Sequence, residues 1–493
     1  MNPPLVLGTD ARTGAPYTLP PAAAGFHTAI FGSTGTGKSY LAHAVAVQHI
    51  VNRGGCVGVI DPHADLSLGV LDYLVSQGFF QRYPDAFERV VYVDFSEDAF
   101  LPLNVLSQPH LSPHATAEMV LEALSRTFPD LQGGAPLLRT LFLCGVLTLT
   151  ANGLPLTCLY PLLLDREFRT RCLRRVSDPL VHQTFAHFDG SRGATSAQAG
   201  STLRRAFLMT FSPTARFTLG QPENVLDLRA IMDSGRTLLL NLGSIPDVRT
   251  RRLIGALVMT LLEQAALSRA QVPASQRRPW TAIVDEWPVI CARQPETLAS
   301  ILDTSRKYGL TLWLLGQHAG QIGAARLSGA LENCRLVALF RLGPESAAAL
   351  APHVEQINPY LVKHPARTSA QRDIYLSAGD QRDLWRRRLQ ELPARRAIVR
   401  AHGSAPRDIR TLTVEASASG PGELEEVVAE YRRRYQRSRE AAEAATMQVL
   451  TREGIGLGIL NHEPYAPDID HTDTIDDFDF DEALADAPAP FGD

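Results

Sequence analysis

Cysteine is scarce and scattered in these 493 residues. Cys56, Cys144, Cys158, Cys172, Cys291 and Cys334 form no C-x-x-C pair and no Cys/His cluster, so neither a zinc site nor a disulfide framework is suggested, and a reducing cytoplasm fits best. Long hydrophobic runs are missing too. No stretch approaches the roughly 20 apolar residues that a membrane helix needs. The opening residues Met1–Leu5 lack the charged-then-apolar pattern of a signal peptide. A soluble, cytoplasmic chain without a membrane span is the expectation. The 45% hydrophobic and 20% charged residues are those of a globular protein, long enough for one large α/β domain with an insertion or for three ordinary domains.

Net charge is small, at −4, but unevenly placed. Residues 463–493 hold 11 Asp/Glu and no Lys/Arg, which leaves residues 1–462 at +7. A mildly basic body is compatible with a polyanionic partner. The last segment sets Phe478, Phe480 and Phe491 among acids. It is too polar to bury its own core and is expected to be a disordered tail, inert, a docking segment, or an acidic brake on a basic channel.

Short apolar runs recur at 26–31, 56–60, 90–93, 237–242, 281–284, 310–316 and 335–340, several separated by helical patterns. Strand followed by helix, repeated, predicts an α/β fold with a mostly parallel, doubly wound sheet flanked by helices. Between about 107 and 215 the periodicity turns helical, with helices expected over Thr116–Phe128, Leu137–Asn152 and Pro179–Phe188. Residues 189–202, small and polar, predict a loop before Arg204 and Arg205. The arginine-dense stretch Gln381–Arg410 is taken as a solvated face, and Glu423–Glu453 as one charged helix.

One loop between strand and helix carries the chemistry. Gly32-Ser33-Thr34-Gly35-Thr36-Gly37-Lys38-Ser39 completes the pattern G-x-x-x-x-G-K-[ST]. Its glycines leave backbone N–H groups free to wrap phosphates. Lys38 is expected to neutralise the β and γ oxygens, and Ser39 to offer its hydroxyl to Mg²⁺ at a helix N-terminus. No Asn-Lys-x-Asp guanine signature occurs, and Trp280–Glu286 is an apolar strand ending in two carboxylates. Asp285 is assigned to the metal shell and Glu286 to a polarised water, the alternative being two helix-capping acids before Trp287-Pro288. Beyond the strand at 310–315, Gln317 either senses the γ-phosphate from the shared carboxyl edge of a parallel sheet or is a surface amide. Arg306, near the end of a helix expected over Glu296–Tyr308, either complements that helix's dipole or reaches a neighbouring subunit's site.

Several of these segments together resemble the conjugative coupling proteins and the related HerA/FtsK-like hexameric translocases. The carrying residues are Gly32–Ser39, Val59–Leu66, Tyr92–Phe95 with Leu103-Asn104, Val225–Arg229 through Leu239–Leu242, Ile283–Glu286, Ser305–Gly309, Gln317 and Phe340–Leu342. The resemblance spans most of residues 5–440. It implies a RecA-like P-loop ATPase using ATP and Mg²⁺, assembled as a homohexameric ring with DNA in the channel. It also implies that Arg306 is an arginine finger, that Gln317 is the glutamine ending the next strand, and that Arg341 is a second candidate for contacting the neighbouring nucleotide. Membrane-bound coupling proteins carry N-terminal transmembrane helices, whereas here the phosphate loop begins at Gly32. Direct anchoring at a secretion channel is therefore not expected; docking on such a channel as a soluble protein, service in another DNA-handling system, or assembly of a partner nuclease or effector are the alternatives.

The organisation expected is a RecA-like ATPase domain in two parts, 1–106 and 216–420, interrupted by a helical insertion at 107–215. A C-terminal helix at 421–462 and the acidic tail at 463–493 follow.

Overall fold

Eleven strands form one sheet. In chain order the strands are β1 (Val6–Asp10), β2 (Pro16–Thr18), β3 (His27–Phe31), β4 (Val57–Asp61), β5 (Val90–Val93) and β6 (Ala99–Phe100). Then come β7 (Thr237–Asn241), β8 (Trp280–Val284), β9 (Leu310–Gly316), β10 (Cys334–Leu339), β11 (Val362–His364), β12 (Ile374–Tyr375), β13 (Arg396–Ala401), β14 (Arg407–Thr411) and β15 (Arg437–Ser438). The computed structural model describes residues 3–20, 23, 25–96, 98–127, 136–190, 212–291, 301–321, 324–364, 374–414 and 419–453. The acidic tail, Arg204 and Arg205, nearly all of the loop at 189–202, and the first residues of the helix expected from Glu296 lie outside them.

The sheet order is β2-β1-β14-β13-β10-β3-β9-β8-β4-β7-β5. From β10 to β5 every neighbouring pair is parallel. The remaining four strands join antiparallel. The seven parallel strands coincide with the seven apolar runs of the sequence. They are mostly apolar because both faces are covered, as parallel strands require. Alternate residues separate into two cores. Ala29, Phe31, Ile60, Leu238, Leu240, Ala282, Leu312 and Leu314 enter one, while Ile30, Val57, Val59, Leu239, Ile283 and Trp313 enter the other.

The second core is closed by the helices Lys38–Val47 and Asp65–Ser76 and by Glu423–Tyr435. The first is closed by Val248–Leu267, on which Pro113–Thr127 packs, with Pro136–Asn152 against it in turn. Asp247 caps the long helix by accepting from the Thr250 and Arg249 amides at 2.8 and 3.2 Å. Among the described residues of 107–215 there is no strand, and its helices share the core beneath the sheet rather than forming one of their own.

Three expectations need correction. Val248–Gln271 is, by length and composition, apolar enough to cross a membrane, although the sequence reading found no such stretch. It is the buried core helix on the first face, which explains its apolar character. The arginine-dense segment is no simple solvated face. It supplies a helix (Ala378–Gln390) and the sheet strands β13 and β14, with Ala397, Val399 and Ile409 in the core and Asp408 pairing with Arg388 and Arg396. The charged helix from Glu423 is two helices, Glu423–Tyr435 and Arg439–Arg452. The chain leaves helical geometry at Gln436, so that Arg437 and Ser438 pair with Phe100 and Ala99. Ser438 then caps the second helix, accepting from Ala441 N at 3.3 Å.

Candidate nucleotide site

The loop Gly32–Gly37 leaves the carboxyl end of β3 and turns into the helix that begins at Lys38. It is fastened on both sides. Gly32 N donates to Gly316 O at the end of β9, Ser33 N to Arg341 O beyond β10 (2.8 Å), and Arg395 N to Thr36 O (2.7 Å). Two glycines are demanded by this path. A Cβ on Gly32 would stand 2.6 Å from Phe340 Cβ and 2.7 Å from Thr36 Oγ1, and Gly37 holds φ at 117°. No side chain caps the helix, so its first N–H groups face the loop as an anion cradle.

Lys38 is buried and donates to the Gly32 and Ser33 carbonyls. Burial pushes its ammonium pKa down, opposed by the charges of Glu286 and Asp285. Those acids follow β8, the second strand over from β3, because β9 lies between. Asp285 N donates to Ile60 O, extending the β8–β4 ladder by one residue. Both carboxylates are buried. Glu286 sits at φ 40°, a left-handed conformation rare outside glycine, with its amide bonded to Asp285 Oδ1 at 3.1 Å. That turn carries the chain off the strand while keeping both acids at the sheet edge.

A third acid belongs to this cluster, and the sequence reading gave it no role. Asp61 ends β4 and is fully buried. Its Oδ1 accepts from His63 N and Ala64 N at 2.8 and 3.1 Å, and its Oδ2 from Ser67 N and Ser67 Oγ at 2.8 and 3.0 Å. With every lone pair engaged, Asp61 holds the turn into the next helix. Burial, then the Asp61 and Glu286 charges, raise Asp285 to about 7 against the pull of Lys38. An apolar strand ending in Asp-Pro was the available signal, but only the adjacency of β4 and β8 brings the two acids together.

Gln317, directly after β9, accepts a 3.0 Å hydrogen bond from Thr34 Oγ1 at the loop tip. Lys38, Asp285, Glu286 and Gln317 thus share the carboxyl edge of the sheet with the cradle. Arg341 joins that edge beside its own loop through its carbonyl. Arg306 does not. It stands in the short turn Ser305–Tyr308 before β9, at the amino edge, exposed, with its guanidinium 4.2 Å from the centroid of the Phe26 ring. Arg335 covers the same ring at 4.2 Å. Seven residues of β9 separate this turn from Gln317, a span of roughly 20 Å at about 3.3 Å per residue. Arg306 therefore cannot serve the cradle of its own chain.

The donor set fits a magnesium–nucleotide complex. Two buried acids, Asp285 and Glu286, act on the one lysine and leave negative charge for a divalent cation to offset, and the uncapped helix N-terminus behind the glycine loop offers its amides to phosphates. Ser39 and Asp285 are the residues that would hold the metal.

Comparison with known proteins agrees with this architecture. The family model described as the central domain of the helicase HerA matches residues 6–68, from β1 through the phosphate loop into the helix after β4. The solved structure of the bacterial conjugative coupling protein TrwBdeltaN70, in its unbound form, is similar with a TM-score of 0.54 at 14% identity, covering 83% of this chain and 89% of that one. The plasmid coupling protein TrwB in complex with ADP and Mg²⁺ gives the same score and identity, over 83% and 90%. VirB4 of Thermoanaerobacter pseudethanolicus aligns with a TM-score of 0.49 at 15% identity, over 85% and 98%. No curated protein matches the sequence. The fold is that of a RecA-like P-loop ATPase. The likeness to the coupling proteins holds in overall fold, and that to the HerA central domain in residues 6–68, the segment that builds the phosphate loop.

Proposed function

We propose that this chain is a magnesium-dependent ATP hydrolase that works in the cytoplasm as a ring-forming DNA motor of the coupling-protein kind. The observation that carries the reading is the division of the chemistry between two edges. The carboxyl edge holds the cradle, the lysine and the acids, and Arg306 projects from the edge that would face the next subunit of a ring.

The residues divide the work as follows. Gly32–Ser39 binds the triphosphate through backbone amides, and Lys38 offsets charge on the β and γ oxygens. Ser39 and Asp285 hold Mg²⁺, which supplies charge neutralisation at the transferring phosphoryl group. Glu286 orients and polarises the attacking water, and Gln317, tied to Thr34, registers the γ-phosphate. Arg306 from the adjacent subunit stabilises charge developing in the transition state, so turnover requires assembly. The basic body of +7 over residues 1–462 and the kinship of fold with conjugative coupling proteins support DNA as cargo. Contacts to its backbone would dominate and sequence preference would be low.

The deciding experiment measures ATP hydrolysis by the purified chain with and without DNA, alongside salt-dependent DNA binding and particle mass with ATP present. Stimulation by DNA, salt-sensitive binding and a ring of about six copies are expected. Hydrolysis indifferent to DNA, with no DNA binding, would sink the DNA part and leave a motor for protein cargo or an ATP-gated scaffold. Capture of a folded protein substrate or of a nuclease partner would then separate those two.

A further inference from the structure

Beside the phosphate loop stands a pair of side chains that the triphosphate chemistry does not use. Tyr40 lies on the first turn of the helix, two residues past Lys38, and is 50% exposed despite its size. The Arg395 guanidinium lies 4.8 Å from the centroid of its ring. Arg395 is built into the cradle. It holds a left-handed φ of 66°, its amide donates to Thr36 O at 2.7 Å, and its Cα is the atom that a Cβ on Gly37 would meet at 3.0 Å. Its Nη2 donates to Leu412 O at 2.8 Å, which fixes the guanidinium plane, while Nε is buried without a partner among the described residues.

The position of this pair follows from helix geometry. Two residues on a helix turn the side chain by about 200°, so Tyr40 points away from the direction in which Lys38 faces Glu286 and Asp285. Those acids, with Gln317, mark the γ end of a bound nucleotide. A base leaves the cradle away from the γ end, and the Tyr40–Arg395 pair lies on the opposite side of the first helical turn, packed against Thr36 and Gly37.

We propose that Tyr40 and Arg395 form the platform on which the nucleobase stacks. The inference rests on the nucleotide-binding reading above and adds a specificity to it. The pair presents a ring face and a guanidinium plane, the two surfaces on which a base stacks. Stacking of that kind takes any purine. The site therefore holds adenine and guanine nucleotides with similar affinity.

The test measures dissociation constants of Mg²⁺-ATP, Mg²⁺-GTP and Mg²⁺-tripolyphosphate by calorimetry on the full chain. The wild type is compared with Tyr40→Ala, Tyr40→Trp and Arg395→Gln. Tyr40→Ala is expected to weaken ATP and GTP alike by about tenfold, the loss of one base–aromatic stack, with tripolyphosphate changed less than about twofold. Arg395→Gln should lose a smaller factor in the same pattern, and Tyr40→Trp should bind as the wild type does. Unchanged ATP affinity in Tyr40→Ala, an equal loss of tripolyphosphate, or a loss confined to one purine would each overturn the platform. If the wild type binds neither tripolyphosphate nor ATP, the nucleotide reading falls and the platform with it. If the wild type binds both and Tyr40→Ala is indifferent, only the platform falls.

Discussion

The two edges of the parallel sheet are built on opposite principles. At the carboxyl edge the lysine and the acids are buried and the loop beside them is over-determined. Lys38, Asp61, Asp285 and Glu286 are all nearly inaccessible, Glu286 has a strained backbone, and the loop is tied to β9, β10 and Arg395. At the amino edge the cations are outermost. Arg306, Lys307 and Arg335 are exposed, and among the described residues Arg306 is held by the face of Phe26 rather than by an acid. Buried acids can be placed to within a hydrogen bond but cannot leave. An exposed arginine resting on a ring gives up little to move, because such contacts are worth about 0.5–1 kcal/mol when exposed.

That contrast can be broken from either side. Arg306→Ala should lower turnover by about 10³-fold or more while leaving ATP binding intact, and mixing it with Glu286→Gln subunits should restore part of the activity. A mixture no more active than its components would place Arg306 outside the neighbour's site. Glu286→Gln is expected to lower turnover by about 10²-fold or more with ATP retained, measured as single-turnover hydrolysis against equilibrium binding. Arg269→Leu should affect stability rather than chemistry. This fully buried arginine ties Asp233 to the Arg278 and Tyr308 carbonyls, bracing the turn that holds Arg306. Its loss is expected to cost about 3 kcal/mol in denaturant unfolding.

The amino edge also contains a pH response. His27 Nδ1 accepts from Leu312 N at 2.9 Å, so its Nε2–H donates to Leu302 O at 2.8 Å, and the neutral ring spans the start of β3 and the segment leading to Arg306. Burial foremost, and the Arg306 charge among the lesser causes, depress its pKa to about 4. The unfolded chain therefore binds the proton first as pH falls, and stability present above about 6.5 is lost towards 4. His49, also depressed to about 4 by burial, adds to the same slope. His27→Gln should remove part of it, up to about 3 kcal/mol at full linkage, read as unfolding midpoints at pH 4.5 and 7. An unchanged slope would acquit His27. The smallest expected effect is that of Phe26→Leu, about threefold in turnover with nucleotide affinity unchanged, since only the resting place of Arg306 is altered.

The seven parallel strands were legible to within a residue or two, because burial on both faces makes the middle of each sequence apolar. The antiparallel strands were not. In β13 the short buried run Ala397-Ile398-Val399 is flanked by Arg396 and Arg400, and in β14 Ile409 stands between Asp408 and Arg410, which in a charged neighbourhood looks like solvated surface. The break at Gln436 was equally hidden, since what stops the helix is pairing with Phe100, more than 300 residues away in sequence.

The same division runs through the site. The sequence alone determined the phosphate loop and the pair Asp285-Glu286, because a cradle that must be free of side chains and a strand that ends in acids are local patterns. Asp61 beside Asp285, Thr34 bonded to Gln317, and Arg306 an entire strand away from its own cradle were decided by the tertiary structure. Each depends on which strands are neighbours and on which edge a turn falls, and strand order is set by packing between segments remote in the chain.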